Sequence, residues 1–113
     1  MIWVWMENHR GAQVLGKPTT PYETGLSQQC GQATNYRSIG YPSLPNYLGA
    51  TSGDTWGVTN NGGPTTHVID ADNLFRQIRA SGRRGASYLE SMPANCSLVS
   101  KGRYALKHNP ATY

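Results

Sequence analysis

At 113 residues the chain has material for one modest core, and 37% apolar residues with 14% charged, 13 Gly and 7 Pro describe a loop-rich globular protein. That composition excludes a disordered or coiled-coil chain. Ten Lys and Arg against six Asp and Glu leave a formal charge of +4, which suits phosphate-bearing ligands, although the basic residues are spread out.

The apolar run Ile2-Trp3-Val4-Trp5-Met6 predicts a strand hidden on both faces, as in a parallel sheet. Residues 9 to 20, with Gly11, Gly16 and Pro18, read as a polar loop. Pro21 at a helix start and Glu23 in its first turn predict a helix to about Gln29, with Gly31 just past its end. Ala33 to Tyr36 reads as a second short strand. Ser43 is placed as the N-cap of a helix that tolerates Pro45 in its first turn and stops near Gly53.

Residues 53 to 64, ending in Asn60-Asn61-Gly62-Gly63-Pro64, predict an exposed loop. Asp72 is then expected to cap a helix with Leu74, Phe75 and Ile78 on one stripe and Gly82 at its end, and Ala86 to Glu90 to form another strand. Arg76, Arg79, Arg83 and Arg84 read as a solvated helix face. This order predicts an α/β fold of parallel strands with helical crossovers, and without repeat or linker residues 1–113 read as one domain.

Several classes of function lose support. Nucleic-acid binding calls for basic residues interleaved with exposed aromatics, whereas Trp3 and Trp5 lie in the expected strand and Trp56 in a Gly-rich loop. No apolar run is long enough to cross a bilayer, and the opening segment is too short, and lacks the basic leader, for a signal peptide. Cys30 and Cys96 lack the spacing of a zinc or thioredoxin motif, which leaves two buried thiols or one long-range disulfide.

In a parallel sheet, ligands gather at the carboxyl ends of the strands, where Glu7, Asn8 and Ser43 would all fall. A serine hydroxyl must be activated to act as a nucleophile, and a divalent cation and a helix N-terminus both stabilise its alkoxide. The Glu7 carboxylate and the Asn8 carbonyl are oxygen ligands of the kind a hard or borderline cation accepts. Asn46, near Ser43 on the same helix, is expected to turn its amide toward a phosphoryl oxygen as charge builds there.

The blocks Met6-Glu7-Asn8-His9, Ala33-Thr34-Asn35-Tyr36, Tyr41-Pro42-Ser43-Leu44-Pro45-Asn46-Tyr47, Thr51-Ser52-Gly53, Asn73-Leu74-Phe75, Tyr88-Leu89-Glu90-Ser91-Met92-Pro93 and His108-Asn109-Pro110 together resemble the phosphoesterase family of bacterial and fungal acid phosphatases and phospholipases C. That family belongs to the alkaline phosphatase-like superfamily. The resemblance implies the corresponding parallel-sheet sandwich, here only its N-terminal part. It also implies hydrolysis of a phosphate ester through a phosphoserine at Ser43, with Glu7, Asn8 and Ser43 on a divalent metal and Asn46 and His108 facing substrate. Secretion or a periplasmic location, and with it a Cys30–Cys96 disulfide, follow from the same resemblance.

This sequence departs from the family pattern in lacking its late adjacent Asp-Asp pair, since Asp70 and Asp72 flank Ala71 in the wrong region. The expectation is therefore half an active site, weakly active or inactive alone, on a truncated sheet whose open edge favours self-association. The alternative is a noncatalytic module that holds an anionic ligand or a partner chain. Ser43 would then be a helix cap, Asn46 an exposed helix residue, and Glu7 a polar end to the strand. His9 and His67 read as loop histidines, and Tyr36, Tyr41 and Tyr47 as packing groups.

Overall fold

The computed structural model describes residues 1 to 113 and contains no β-strand and no sheet. Four helices form, α1 (Gly11–Val14), α2 (Pro21–Cys30), α3 (Ser43–Ser52) and α4 (Leu74–Ala80), followed by 3₁₀ turns at Leu106–His108 and Pro110–Thr112. Ladder pairing is confined to an isolated antiparallel bridge between Lys101 and Tyr104. The expected α/β sandwich of parallel strands is thus overturned, and with it the strands at residues 2–6, 33–36 and 86–90.

The physical reason lies in the backbone. A strand exists only where a neighbour takes up its N–H and C=O groups, and composition alone supplies no neighbour. The run read as doubly buried is open to solvent instead, with Ile2 92% and Val4 72% exposed. Without a sheet there is no sheet edge, so that basis for self-association goes too.

The chain divides into two compact units, Met1–Tyr36 and Arg37–Tyr113. In the first, α2 begins with Pro21 and carries Glu23 in its first turn, and Gly31 follows its end at φ +97°, as expected. The preceding segment, read as loop, contains the single turn α1. The Gln13 side chain accepts the Arg10 N–H at 2.8 Å, and Leu15 N–H closes the turn on the Gly11 carbonyl at 2.8 Å. Thr20 donates its hydroxyl to the Val14 carbonyl, and Thr24 Oγ1 accepts the Gly16 N–H at 3.0 Å. Neither helix buries a residue, so polar bonds rather than a core organise this unit.

The second unit has a core, and α3 is its centre. Leu44, Tyr47 and Leu48 fall at the i, i+3, i+4 spacing of one helix face and are all buried. Leu44 and Leu48 cluster with Val58, and Ile69 and Tyr113 pack against them. Burying an aliphatic side chain of this size contributes about 1.5–3 kcal/mol. The 3₁₀ turns and α4 pack on the same helix. Gly53 ends α3 in the left-handed region at φ +87°, as its position predicts.

Helix α4 is capped by Asn73 rather than the expected Asp72. The Asn73 side chain accepts the Arg76 N–H at 2.9 Å, while Asp72 accepts from Asn73 N–H and from the Gln77 amide. Leu74, Phe75 and Ile78 are half-buried and Arg76 and Arg79 exposed, as read from the sequence, but α4 ends at Ala80 rather than near Gly82, so Arg83 and Arg84 lie exposed beyond the helix. Buried Asn109 donates to the Tyr104 hydroxyl at 3.1 Å, and that hydroxyl donates to the Ser97 carbonyl at 2.8 Å. No helix is long and apolar enough to cross a membrane.

Candidate functional site

Ser43 is the first residue of α3, and Pro42, not Ser43, occupies the cap position. Proline offers no side-chain acceptor, so the free N–H groups of the first turn need another partner. One comes from far along the chain, where Asn61 Oδ1 accepts the Leu44 N–H at 3.1 Å. Asn61 thus does from a loop what a capping side chain does locally, at the residue next to Ser43.

Asn46 fixes the segment leading into Ser43. Its Oδ1 accepts the N–H groups of Ile39 at 3.0 Å and Gly40 at 3.2 Å. Its Nδ2 donates to the carbonyls of Gly40 and Pro42, both at 2.9 Å, and reaches the Ser43 carbonyl at 3.5 Å. Both ends of the amide are engaged with backbone, so in this conformation Asn46 shapes the approach to Ser43.

The loop that supplies Asn61 is itself held. Asn60 Oδ1 accepts the Gly62 N–H at 2.7 Å and lies 2.7 Å from His67 Nε2, which therefore carries the ring proton. Gly63 O accepts the N–H groups of Thr66 and His67, and the Tyr113 hydroxyl donates to Gly62 O at 3.0 Å. Burial, followed by the nearby Tyr104, raises the Tyr113 phenol above its usual value of 10.0. His108 stands in the first 3₁₀ turn with its ring stacked on Tyr47 at 5.1 Å. Tyr47 follows Ser43 by one helical turn, so Ser43 and the His108 stack share a face of α3.

The remaining site residues are distributed as follows. Glu7 and Asn8 are exposed in the first unit, whereas Ser43, Asn46 and His108 belong to the second. The oxygen donors Glu7, Asn8 and Ser43 match the chemistry of a hard divalent cation. No three His, Cys, Asp or Glu side chains gather into a metal-binding group. Cys30 and Cys96 are exposed free thiols, so the buried-thiol reading does not hold. Tyr47 packs as expected, but Tyr36 and Tyr41 are 78% and 91% exposed.

Sequence reasoning missed Asn61 and Tyr113. Asn61 sits in an Asn-Asn-Gly-Gly-Pro run that signals only a turn, and its partner lies seventeen residues away.

Over 111 residues the chain is 31% identical to the phosphatidylinositol-3-phosphatase of Mycobacterium tuberculosis, an alignment that covers 97% of this chain and 37% of the relative. The chain thus spans little more than a third of that protein's length. No family model matches it. No solved structure matches it either. The likeness to a phosphatase agrees with the phosphoester chemistry expected from the sequence, at that level and no finer.

Proposed function

We propose that this chain belongs to the machinery of a phosphoester hydrolase in which Ser43 is the nucleophile. The observation that carries the reading is the 31% identity to a phosphatase across nearly the whole chain. The placement of Ser43 adds support, because it stands at the start of α3, where the helix dipole favours an oxyanion.

In the proposed reaction, Ser43 Oγ attacks phosphorus and an Oγ–P bond forms as the ester P–O bond breaks. The bonding pair leaves on the alcohol oxygen, which takes a proton from solvent, and the serine proton passes to water. A second water then attacks phosphorus, releasing phosphate and restoring the hydroxyl. Asn46 holds the backbone of residues 39–42 that leads into Ser43, and Asn61 fixes the following residue from outside. Glu7, Asn8 and Ser43 would hold a divalent cation, which when bound stabilises the serine alkoxide. The phosphoserine route, the cation and an oxidised Cys30–Cys96 pair in an exported protein are parts of the same proposal, as is a phosphoinositide substrate like that in the relative's name.

One observation favours the noncatalytic reading, namely that the Asn46 amide is fully engaged with backbone. Orthovanadate and phosphate binding decide between the two. Binding that needs a divalent cation and disappears in Glu7→Gln, with aryl phosphate turnover lost in Ser43→Ala, is the hydrolase outcome. Cation-independent binding with no turnover is the outcome for an anion-binding module.

A further inference from the structure

We infer that the cavity beside the Asn60–His67 loop is a subsite for one cyclic polyol ring, such as an inositol or sugar headgroup. The cavity, of about 280 Å³, is lined by Trp56, Thr66, His67 and Asp70 together with aliphatic side chains. Ligand pockets run from about 300 to 1,000 Å³, so this one suits a single ring rather than a whole lipid.

A cyclic polyol has apolar C–H faces and a rim of hydroxyls, and the lining has a counterpart to each. The Trp56 indole is anchored along one edge, its Nε1–H donating to Ser52 Oγ at 2.8 Å, while the residue remains 46% exposed. The backbone of Trp56 is left-handed at φ +54°, four residues past the end of α3. A ring held by its edge offers its face to C–H groups at little further entropy cost.

The polar groups retain hydrogen-bonding capacity. Asp70 Oδ1 pairs with Arg76 at 3.2 Å, which leaves Oδ2 to accept a hydroxyl. His67 engages Asn60 through Nε2, which leaves Nδ1 for a hydroxyl, and the Thr66 hydroxyl both donates and accepts. Arg76 offsets the charge of Asp70, and no second carboxylate lines the cavity. Neutral hydroxyls therefore fit better than a cation.

The cavity is also wired to the proposed nucleophile. His67 holds Asn60, and the adjacent Asn61 holds the N–H of the residue after Ser43. Only the choice of inositol among cyclic polyols rests on the hydrolase reading.

The test is a titration of the full chain with myo-inositol, followed by the Trp56 indole N–H resonance and the Thr66 and His67 amides in nitrogen-correlated NMR spectra. A saturable shift of all three is expected, weakened about tenfold or more in Asp70→Asn and lost in Trp56→Ala. Asp70 is on the surface, so Asp70→Asn keeps the test valid if Trp56→Ala fails to fold. Non-saturable shifts, equal shifts with linear glycerol, or unchanged binding in Asp70→Asn would overturn the inference. Intact inositol binding with phosphoryl transfer to a residue other than Ser43 would overturn the hydrolase reading while leaving the polyol site standing.

Discussion

Replacing Asn46 by Ala removes the side chain that closes the segment before Ser43. Four of its hydrogen bonds are 3.2 Å or shorter, to Ile39, Gly40 twice, and Pro42, and the contact to Ser43 O at 3.5 Å is too long to count for much. At about 1 kcal/mol net each, the gross loss is roughly 4 kcal/mol. Two effects reduce it. Ile39 is exposed, so water replaces part of the bonding, and alanine is the better helix former by about 0.7 kcal/mol. The expected net destabilisation is therefore about 2 kcal/mol, or roughly 8–16 °C in Tm for a unit of this size. Urea unfolding followed by circular dichroism reads it as a lower midpoint at unchanged slope. Asn46→Asp keeps the acceptor and loses both donors, so it should fall between the two. If Asn46→Ala unfolds within about 0.5 kcal/mol of wild type, the amide is no clamp and the account of how Ser43 is positioned is wrong.

Further outcomes follow from the core and the C-terminus. Leu48→Ala, at a site 3% exposed against Leu44 and Val58, should cost about 2–5 kcal/mol, measured in the same urea assay. The Tyr113 phenol binds its proton more tightly folded than unfolded, so its contribution is fully present below about pH 10 and is lost as pH rises through the folded value. The urea midpoint of wild type should accordingly fall more steeply with alkaline pH than that of Tyr113→Phe, which should start about 1 kcal/mol lower for want of the bond to Gly62. Cys30 and Cys96, exposed and free, should both take iodoacetamide without reductant in chain made in a reducing cytosol. Adducts appearing only after reduction, in chain made under oxidising conditions, would establish the proposed disulfide.

The helices were legible where the signals are local. Pro21 and Gly31 bracket α2, and Gly53 stops α3 at the residue expected, because proline geometry and a left-handed glycine act within a turn or two. Asn73 took the cap expected of Asp72, a one-residue error between two good capping side chains. The strands failed because Ile2-Trp3-Val4-Trp5 specifies only a β-prone composition, while a strand also requires a partner that no local pattern encodes. The motif singles out Ser43 as a candidate, but its structural setting is not legible in it. The side chain that completes the helix start, Asn61, reaches it across a loop whose sequence announces nothing beyond a turn.

The central claim is that Ser43 accepts the phosphoryl group. Its most direct test is to incubate the chain with 4-nitrophenyl phosphate and a divalent cation, quench in acid, and map phosphorylated peptides by mass spectrometry. The account predicts one phosphoserine, at Ser43, and none in Ser43→Ala. An adduct on a residue other than Ser43, or one that persists in Ser43→Ala, would contradict it.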